Sequence, residues 1–181
     1  MIRQTAFCFA LSTLVFASGL TANSITSQSQ SSQSDQSKSL STASSKVAPI
    51  NNFKTTDLEK SVFEQINRYR VAKGLSKLTL DARISKQARI HSQNMAVGKV
   101  PFSHKGFEKR VNSISIGYQS ASENVAFNQG YDDPVAEAVS GWIKSPGHLV
   151  NIKGNYNLTG VGVAVNREGE VYLTQLFLRS R

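Results

Sequence analysis

The rest of the chain is arranged around one stretch, Ser140-Gly-Trp-Ile-Lys-Ser-Pro-Gly-His-Leu-Val-Asn-Ile152. Its first half is typical of the end of an amphipathic helix that closes on Trp142. Its second half predicts a new short helix, because Ser145 is a favoured N-cap residue and Pro146 falls at the first helical position, where its missing N–H costs nothing. His148 then lies in the first turn of this helix.

His148 is therefore expected to be neutral near pH 7. Its place in the first turn puts it over unpaired backbone N–H groups and the positive end of the helix dipole, where a cation is disfavoured. A neutral imidazole keeps a lone pair for a metal or a proton. The alternative is that Trp142 is a core residue and His148 an ordinary surface residue in a helix cap.

Length and charge limit the classes of function. The 181 residues are enough for one domain with a core plus appendages, and the net charge is +9. Such a charge favours anionic surfaces, but no segment interleaves aromatic residues with arginines as a nucleic-acid face would, so we expect no nucleic-acid partner. The single cysteine, Cys8, leaves the mature domain without disulfides. We expect a monomer.

The N-terminal part predicts export. Residues 1–23 resemble a signal peptide, with Arg3 before an apolar run and the small residues Ala17-Ser18-Gly19 as a cleavage site. The apolar run is short for a membrane span, so no span is expected after cleavage, although an uncleaved anchor is the alternative. Residues 24–50 are rich in Ser and Gln and are predicted to be a disordered linker. The folded domain is then 51–181, secreted or periplasmic.

Two helices are predicted at the start of this domain. Thr56 and Glu59 have the spacing of a capping box, and the helix that they begin should stop at Gly74. Asp81 should cap the second helix. The buried stripe of the second helix should be formed by Ile84, Ala88, His91 and Met95.

The other two histidines have different settings. His91 belongs to an apolar stripe and is more readily explained as a packed core histidine than as a ligand. His104 follows in the segment 102–106, which reads as a loop. A histidine on a loop held by a rigid scaffold is the better candidate for function.

The C-terminal half predicts a sheet covered on both sides. Residues 160–165 alternate valine with small residues, and 171–178 are apolar on both faces apart from two polar residues. Strands of this kind require helices above and below. Residues 166–169 form a hairpin turn between them, and a third strand is expected near 119–127. Asp132-Asp133-Pro134 should start the helix that carries Trp142.

Several short motifs follow one another along the domain: Asn67-Arg68, His91-Ser92, Phe102-Ser103-His104, Glu123-Asn124-Val125, Trp142 to His148 with Asn151-Ile152, Gly160 to Val163 and Thr174 to Phe177. In this order and spacing they resemble the CAP superfamily of cysteine-rich secretory, antigen 5 and pathogenesis-related-1 proteins, in its short bacterial branch. The resemblance covers roughly Asp57 to Leu178 and implies an α+β fold, a three-layer α-β-α sandwich with a small central antiparallel sheet in a single domain.

The resemblance also implies a cavity lined by two histidines and two acidic residues, where some members bind a divalent metal. His104 and His148 match the histidine positions, and Glu123 matches the first acidic position. The second acidic position falls near Ser145, so this chain lacks that acid. The implied cavity residues are His104, Glu123, His148 and Ser145, with His104 and His148 as ligands of zinc or another divalent cation.

Two classes of function follow from this resemblance. The first is a non-catalytic exported module that binds a metal, a lipid-like ligand or another component of the cell envelope, with the aromatic segment 127–131 offering contacts unless it is a packed turn. The alternative is a metal-dependent hydrolase using His104, His148 and Glu123. A serine nucleophile at Ser145 is disfavoured, because its hydroxyl is expected to cap the helix. We therefore favour a protein that is not an enzyme.

Overall fold

The computed structural model describes residues 54–181. The signal peptide predicted at 1–23 and the linker predicted at 24–50 lie outside the described residues and stay predictions. The elements, in chain order, are α1 (Thr55–Ala72), β1 (Thr79–Leu80), α2 (Ala82–Ala96), α3 (Phe107–Asn112), β2 (Tyr118–Gln129), α4 (Pro134–Lys144), α5 (Pro146–Lys153), β3 (Leu158–Val165) and β4 (Glu170–Ser180).

The sheet has four strands in the order β1-β3-β4-β2. β4 pairs antiparallel with both β2 and β3, which confirms the predicted antiparallel sheet. β1 adds two residues, paired in parallel with β3 at the opposite edge. The sequence analysis missed β1, because two residues are too few to show a period. The turn between β3 and β4 contains Gly169 at φ 77°, a conformation that a hairpin requires and glycine allows.

Helices cover both faces of the sheet, as predicted. On β4, Leu173 and Phe177 point into a core shared with α1, α4 and α5. Leu176 and Leu178 point into a second core shared with α2 and α3. The alternation of side chains along one strand therefore produces the three-layer sandwich.

Helix α2 lies directly against the backbone of β3. A Cβ atom added at Gly160 would overlap the backbone of Ile84 and Ser85, and one added at Gly162 would overlap the backbone of Ala88 and Arg89. The alternating glycines are therefore required for helix-to-strand contact rather than for backbone flexibility.

Two of the four predicted side-chain caps are confirmed. Asp81 accepts a hydrogen bond from the Arg83 N–H at the start of α2, and Asp133 does the same at the start of α4. The capping box at Thr56 is wrong, since α1 begins without a side-chain cap. Glu59 is instead buried and accepts hydrogen bonds from Arg89 and from the Val163 N–H. β1 pairs only with Leu158 and Thr159 of β3, so on that side of β3 no strand supplies an acceptor for the Val163 N–H.

Arg70 fixes the position of α5, the helix that carries His148. Its guanidinium is buried, and it donates to the carbonyl oxygens of Ile152 at 2.6 Å, Gly154 at 3.1 Å and Ser76 at 2.9 Å. Burial lowers the pKa of Arg70 from its ordinary value. The bonds tie the end of α5 to α1, so the start of α5 is held at a defined place on the sheet.

Candidate functional site

The predicted site residues lie around β2, the strand at one edge of the sheet. Glu123 pairs with Leu176, whose side chain belongs to the core under α2 and α3. Asn124 is the next residue and faces the other layer, where its amide reaches the carbonyl of His148 at 3.2 Å. The edge strand therefore carries one polar side chain toward each layer of helices.

Glu123 is buried and held by an arginine that the sequence analysis did not identify. Arg110 donates from Nε to Oε2 at 2.9 Å and from Nη2 to Oε1 at 2.7 Å. Its Nη1 donates to the Lys105 carbonyl at 2.9 Å. One side chain thus neutralises the Glu123 carboxylate and fixes the loop that follows α2.

His104 lies on that loop, beside Glu123. Its Nδ1 is 3.0 Å from Oε1 of Glu123. Because an ionised carboxylate can only accept, Nδ1 carries the proton and donates it to this bond. A cation that binds His104 would then have to bind Nε2. Glu123 consequently sets both the orientation and the tautomer of the imidazole.

His91 is a core residue, as predicted. It is 2% exposed, and its Nε2 donates to the carbonyl oxygen of Ser103 at 2.9 Å. Burial lowers the pKa of His91, so the ring is neutral near pH 7. This hydrogen bond holds Ser103, the residue before His104, so His91 helps to fix the position of the loop that carries His104.

Replacing His91 by alanine should destabilise the domain by about 1–3 kcal/mol, through lost packing and loss of the hydrogen bond to Ser103. His104→Ala and His148→Ala should cost less, because both side chains are only partly buried. Urea denaturation followed by circular dichroism measures all three. The distinction between core and site would be wrong if His91→Ala were the mildest of these variants.

His148 is the third residue of α5. Burial lowers its pKa, and the charge of His104 lowers it further. The lowered pKa agrees with the prediction that the His148 ring is neutral near pH 7, although burial is its main cause. The influence of His104 on this pKa also means that the two imidazoles lie within electrostatic reach of each other.

Ser145 has the predicted position but not the predicted role. It precedes the first residue of α5, yet its hydroxyl caps no backbone group. The first-turn N–H groups of His148 and Leu149 reach the Ser145 carbonyl instead, at 3.1 and 2.8 Å. The hydroxyl oxygen lies 2.9 Å from Nδ1 of His148. Ser145 therefore orients the imidazole, because the ring three residues later is a closer partner than the helix N–H groups.

Because the Ser145 hydroxyl does not cap α5, capping no longer argues against a serine nucleophile. The residues of a Ser-His-acid triad are nevertheless not brought together. The Glu123 carboxylate forms its hydrogen bonds with His104 and Arg110. The Ser145–His148 pair therefore lacks the carboxylate that would orient the base in a Ser-His-acid triad.

Side-chain amides and an indole attach α4 and α5 to the edge strand. Asn151 donates to the side-chain oxygen of Asn124 at 2.8 Å and to the Glu123 carbonyl at 3.2 Å. Trp142 is buried in the core, as predicted, and its Nε1 donates to the Val125 carbonyl at 2.9 Å. These bonds satisfy carbonyl groups of the edge strand and fix the layer that carries His148 relative to the strand that carries Glu123.

The donor set suits a weak metal site with two protein ligands. Among residues 54–181, no group of three or more His, Cys, Asp and Glu side chains is arranged to hold a metal ion. The two candidate ligands are His104 and His148, and each has its Nδ1 held by a neighbour. Two imidazoles fit zinc chemically, but a catalytic zinc site usually has three protein ligands.

An aromatic cluster of Phe102, Phe127 and Tyr172 includes a residue of the loop that carries His104. Phe127 is 43% exposed, and its ring centroid is 6.2 Å from that of Phe102 and 5.1 Å from that of Tyr172. Phe102 precedes His104 by two residues. Phe127, the last residue of the strand predicted at 119–127, lies within β2, which continues to Gln129, and it is on the same face of the strand as Glu123. Tyr131 lies beyond the strand and is exposed.

Arg110 is the important residue that sequence reasoning missed. It lies in the six-residue helix α3 beside Glu108 and Lys109, where it resembles one more surface charge. Its partner Glu123 is 13 residues away on a strand. The available signal was a carboxylate inside a predicted strand, because such a group requires a cation nearby once it is buried.

Comparisons with known proteins agree with this geometry. Residues 63–177 match the family model described as the cysteine-rich secretory protein family, CAP. An uncharacterized protein of Bacillus subtilis (strain 168), YkwD, is 36% identical over 126 residues, which cover 66% of this chain and 46% of that protein. The chain thus spans about half the length of this curated relative.

Two solved structures are similar in fold. An extracellular protein of Bacillus anthracis str. Ames that contains an SCP domain is 29% identical, with a TM-score of 0.58, over 70% of this chain and 41% of that chain. An outer surface protein of Borrelia burgdorferi is 16% identical, with a TM-score of 0.63, over 71% of this chain and 97% of that chain. The second likeness concerns the fold alone.

Proposed function

This chain belongs to the cysteine-rich secretory protein (CAP) family, and from that premise we propose that it is an exported, non-catalytic module that binds zinc through His104 and His148. The observation that carries the proposal is that each of the two rings has its Nδ1 held by a neighbouring side chain. Glu123 holds Nδ1 of His104 and Ser145 holds Nδ1 of His148, at 3.0 and 2.9 Å. Metal-binding histidines typically have their second nitrogen held in this way.

The positions of the two rings support a shared cation. His104 arrives from the α2–α3 layer and His148 from the α4–α5 layer, around the edge strand β2. Burial keeps the pKa of His148 low, so this ring is neutral and able to coordinate near pH 7. With two protein ligands, water or another small ligand would complete the coordination, and the affinity should be modest.

The arrangement disfavours the hydrolase alternative. A metal-dependent hydrolase would need Glu123 to accept a proton from a bound water. Arg110 donates to both oxygens of that carboxylate, and His104 lies 3.0 Å from one of them, so the carboxylate is already engaged by two side chains. A binding function therefore accounts for the geometry better than catalysis does.

A lipid-like or cell-envelope ligand is the second part of the proposal. The rings of Phe102 and Phe127 are both partly exposed. Phe102 precedes His104 by two residues, and Phe127 lies on the same face of β2 as Glu123. Exposed aromatic rings beside a polar site suit a ligand with both apolar and polar parts. A lipid extract of the purified protein would test this part of the proposal.

Export is proposed from residues 1–23, with 24–50 as a linker to the domain. Within the described part of the chain, no helix is long and apolar enough to cross a bilayer. The similar Bacillus anthracis protein is an extracellular protein. N-terminal sequencing of protein recovered from the medium or periplasm would test whether the signal is cleaved.

Isothermal titration calorimetry of the purified protein with zinc tests the metal proposal. His104→Ala and His148→Ala should each raise the zinc Kd by more than roughly 100-fold, the upper range seen when only a partner behind a ligand is lost. His91→Gln is the control, since its amide can still donate to the Ser103 carbonyl, and it should bind normally. Binding heat that persists in both site variants would contradict the proposal.

The pH dependence has a definite sign. Protons compete with zinc for the imidazole nitrogens, so the affinity should fall as the pH falls. Because burial lowers the pKa of His148 below the ordinary histidine value of 6.5, this ligand should remain available to lower pH than an exposed histidine would. The same calorimetry repeated between about pH 5 and 8 measures the effect.

A further inference from the structure

Four segments of the chain meet at the end of the sandwich that lies away from the β3–β4 turn. They are residues 72–80 after α1, 113–118 between α3 and β2, 153–157 after α5, and 178–181 at the end of β4. Asn157 joins three of them, since its carbonyl accepts from the Thr79 N–H at 2.8 Å and its N–H donates to the Leu178 carbonyl at 3.1 Å. The start of α2 reaches the same end, where Arg83 donates to the Ser115 carbonyl at 3.1 Å.

The charged side chains of this end are nearly all basic. In these four segments and at the start of α2 (81–85), the one acidic side chain is Asp81, which pairs with Arg83 at 2.8 Å. Five of the basic side chains are exposed and that of Arg179 is partly buried. A chain-terminal carboxylate at Arg181 would offset one positive charge and leave a clear excess. We call this region the basic end, and its six basic residues are Lys73, Lys77, Arg83, Lys153, Arg179 and Arg181.

The opposite end of the sandwich has no such excess. Its loops are 97–106 after α2, 130–133 between β2 and α4, and 166–169 between β3 and β4. Their charged residues are evenly divided between basic and acidic ones: Lys99, Lys105 and Arg167 against Asp132, Asp133 and Glu168. The basic excess is therefore concentrated at one end of the domain rather than spread over its surface, so it is a local feature with a partner of its own.

The positive charges of the basic end do not converge on one point. Lys77 lies in the turn between α1 and β1, and Lys153 at the end of α5, both in the layer on one face of the sheet. Arg83 belongs to α2, on the other face. Because packed layers lie about 10 Å apart, these cations span roughly 20 Å across the three layers. A single small anion cannot contact all of them, whereas a linear polyanion can.

A polyanion suits the basic end better than a bilayer does. Aromatic side chains are typical anchors at a membrane surface, and the exposed ones of residues 54–181 are Phe102, Phe127 and Tyr131, which belong to the opposite end. At the basic end, exposed hydroxyl and amide groups such as those of Ser76 and Asn155 lie among the basic residues. Such groups donate hydrogen bonds to phosphate oxygens.

We propose that the basic end binds a linear anionic polymer that carries a phosphate group in each repeat, such as a polymer of the cell wall. The physical drive is the release of counterions from the polymer as basic side chains take their place, so the affinity depends strongly on salt. This surface shares no residue with the pair of histidines, and the inference does not rest on zinc binding. It adds a second attachment to the proposed exported module, at a different place in the fold.

Binding of fluorescently labelled long-chain polyphosphate to the purified protein, followed by anisotropy at several salt concentrations, tests the proposal. The test variant combines three exposed substitutions, Lys73→Gln, Lys77→Gln and Lys153→Gln. We expect its Kd to rise about tenfold or more at about 50 mM salt. The slope of log Kd against log salt concentration should become smaller by about 2, because each lost phosphate contact removes about 0.7 from it.

The matched control loses the same charge at the opposite end. It combines Lys54→Gln, Lys99→Gln and Arg167→Gln, which are also exposed, so both variants should keep the thermal midpoint of the wild type. The control should bind polyphosphate within about twofold of the wild type, since salt screens distant charges. An equal loss of affinity in the two variants would show that only net charge matters and would overturn the assignment to the basic end.

Competition experiments decide the class of partner. Vesicles of phosphatidylglycerol and double-stranded DNA are each added to the labelled complex at equal phosphate concentration. If either displaces polyphosphate more effectively than unlabelled polyphosphate does, the basic end is a surface for a bilayer or for nucleic acid, and the polymer proposal is wrong. His104→Ala should bind polyphosphate as the wild type does, so a failure of zinc binding leaves this inference intact.

Discussion

Replacing Arg110 by methionine should destabilise the domain by roughly 3–5 kcal/mol, the usual cost of leaving one partner of a buried ion pair alone. The Glu123 side chain is 2% exposed and that of Arg110 is 10% exposed, so water cannot take the place of the lost guanidinium. Arg110 also holds the Lys105 carbonyl, and the loop that carries His104 should loosen. Urea denaturation measures the loss of stability.

Two comparisons identify the cause of this loss. Arg83→Met removes an arginine that pairs with Asp81 but is 58% exposed, and it should cost little stability, because an exposed ion pair contributes little. Arg110→Met combined with Glu123→Gln should be less destabilised than Arg110→Met alone, because no charge is then buried. If Arg110→Met were as mild as Arg83→Met, the buried pair would not organise this side of the site.

Replacing Gly162 by alanine should destabilise the domain by about 3 kcal/mol or more, the upper range for an overpacked core. The added methyl group would overlap the backbone of Ala88 and Arg89, and a helix backbone cannot turn aside as a flexible side chain can. Helix α2 would have to move away from β3, which would also stretch the bond from the Ser92 hydroxyl to the Gly162 carbonyl. The thermal midpoint should fall by about 10 °C.

Gly141→Ala is the matched control for this substitution. Gly141 lies in α4, is exposed, and has no atom within 4 Å of an added Cβ. Alanine favours a helix over glycine, so the same chemical change should stabilise the domain by about 0.5–1 kcal/mol. Equal effects at the two positions would contradict the close contact between α2 and β3.

The regular elements were predictable because their signals are local. The apolar stripe from Ile84 to Met95 predicted α2, and the alternation of valine with small residues over 160–165 predicted β3. Asp81 and Asp133 cap their helices as expected, since the N–H groups that they accept from lie two or three residues along the chain, and Asp81 also pairs with the Arg83 side chain. The sandwich then follows from strands that are apolar on both faces.

The failed predictions concern side chains with a better partner far away in the sequence. Glu59 binds Arg89 and the Val163 N–H, 104 residues away, and is therefore not part of a capping box. The Ser145 hydroxyl binds the His148 ring rather than capping α5. Such choices are decided by which groups the fold brings together, and local spacing does not contain that information.

The site was predictable in part. The family resemblance selected His104, Glu123 and His148, and the structure brings His104 against Glu123 and within electrostatic reach of His148. Neither spacing nor composition pointed to Arg110, although it determines the charge of the site. A basic residue in a short polar helix has no sequence signature that distinguishes it from a surface residue.

The most direct test of the account is the anomalous diffraction of crystals grown with zinc, measured at the zinc absorption edge. The account predicts one strong peak about 2.0–2.1 Å from Nε2 of both His104 and His148, with Nδ1 of the two rings still bonded to Glu123 and Ser145. A peak bound to only one of these rings, or located at residues elsewhere on the domain, would contradict the shared site.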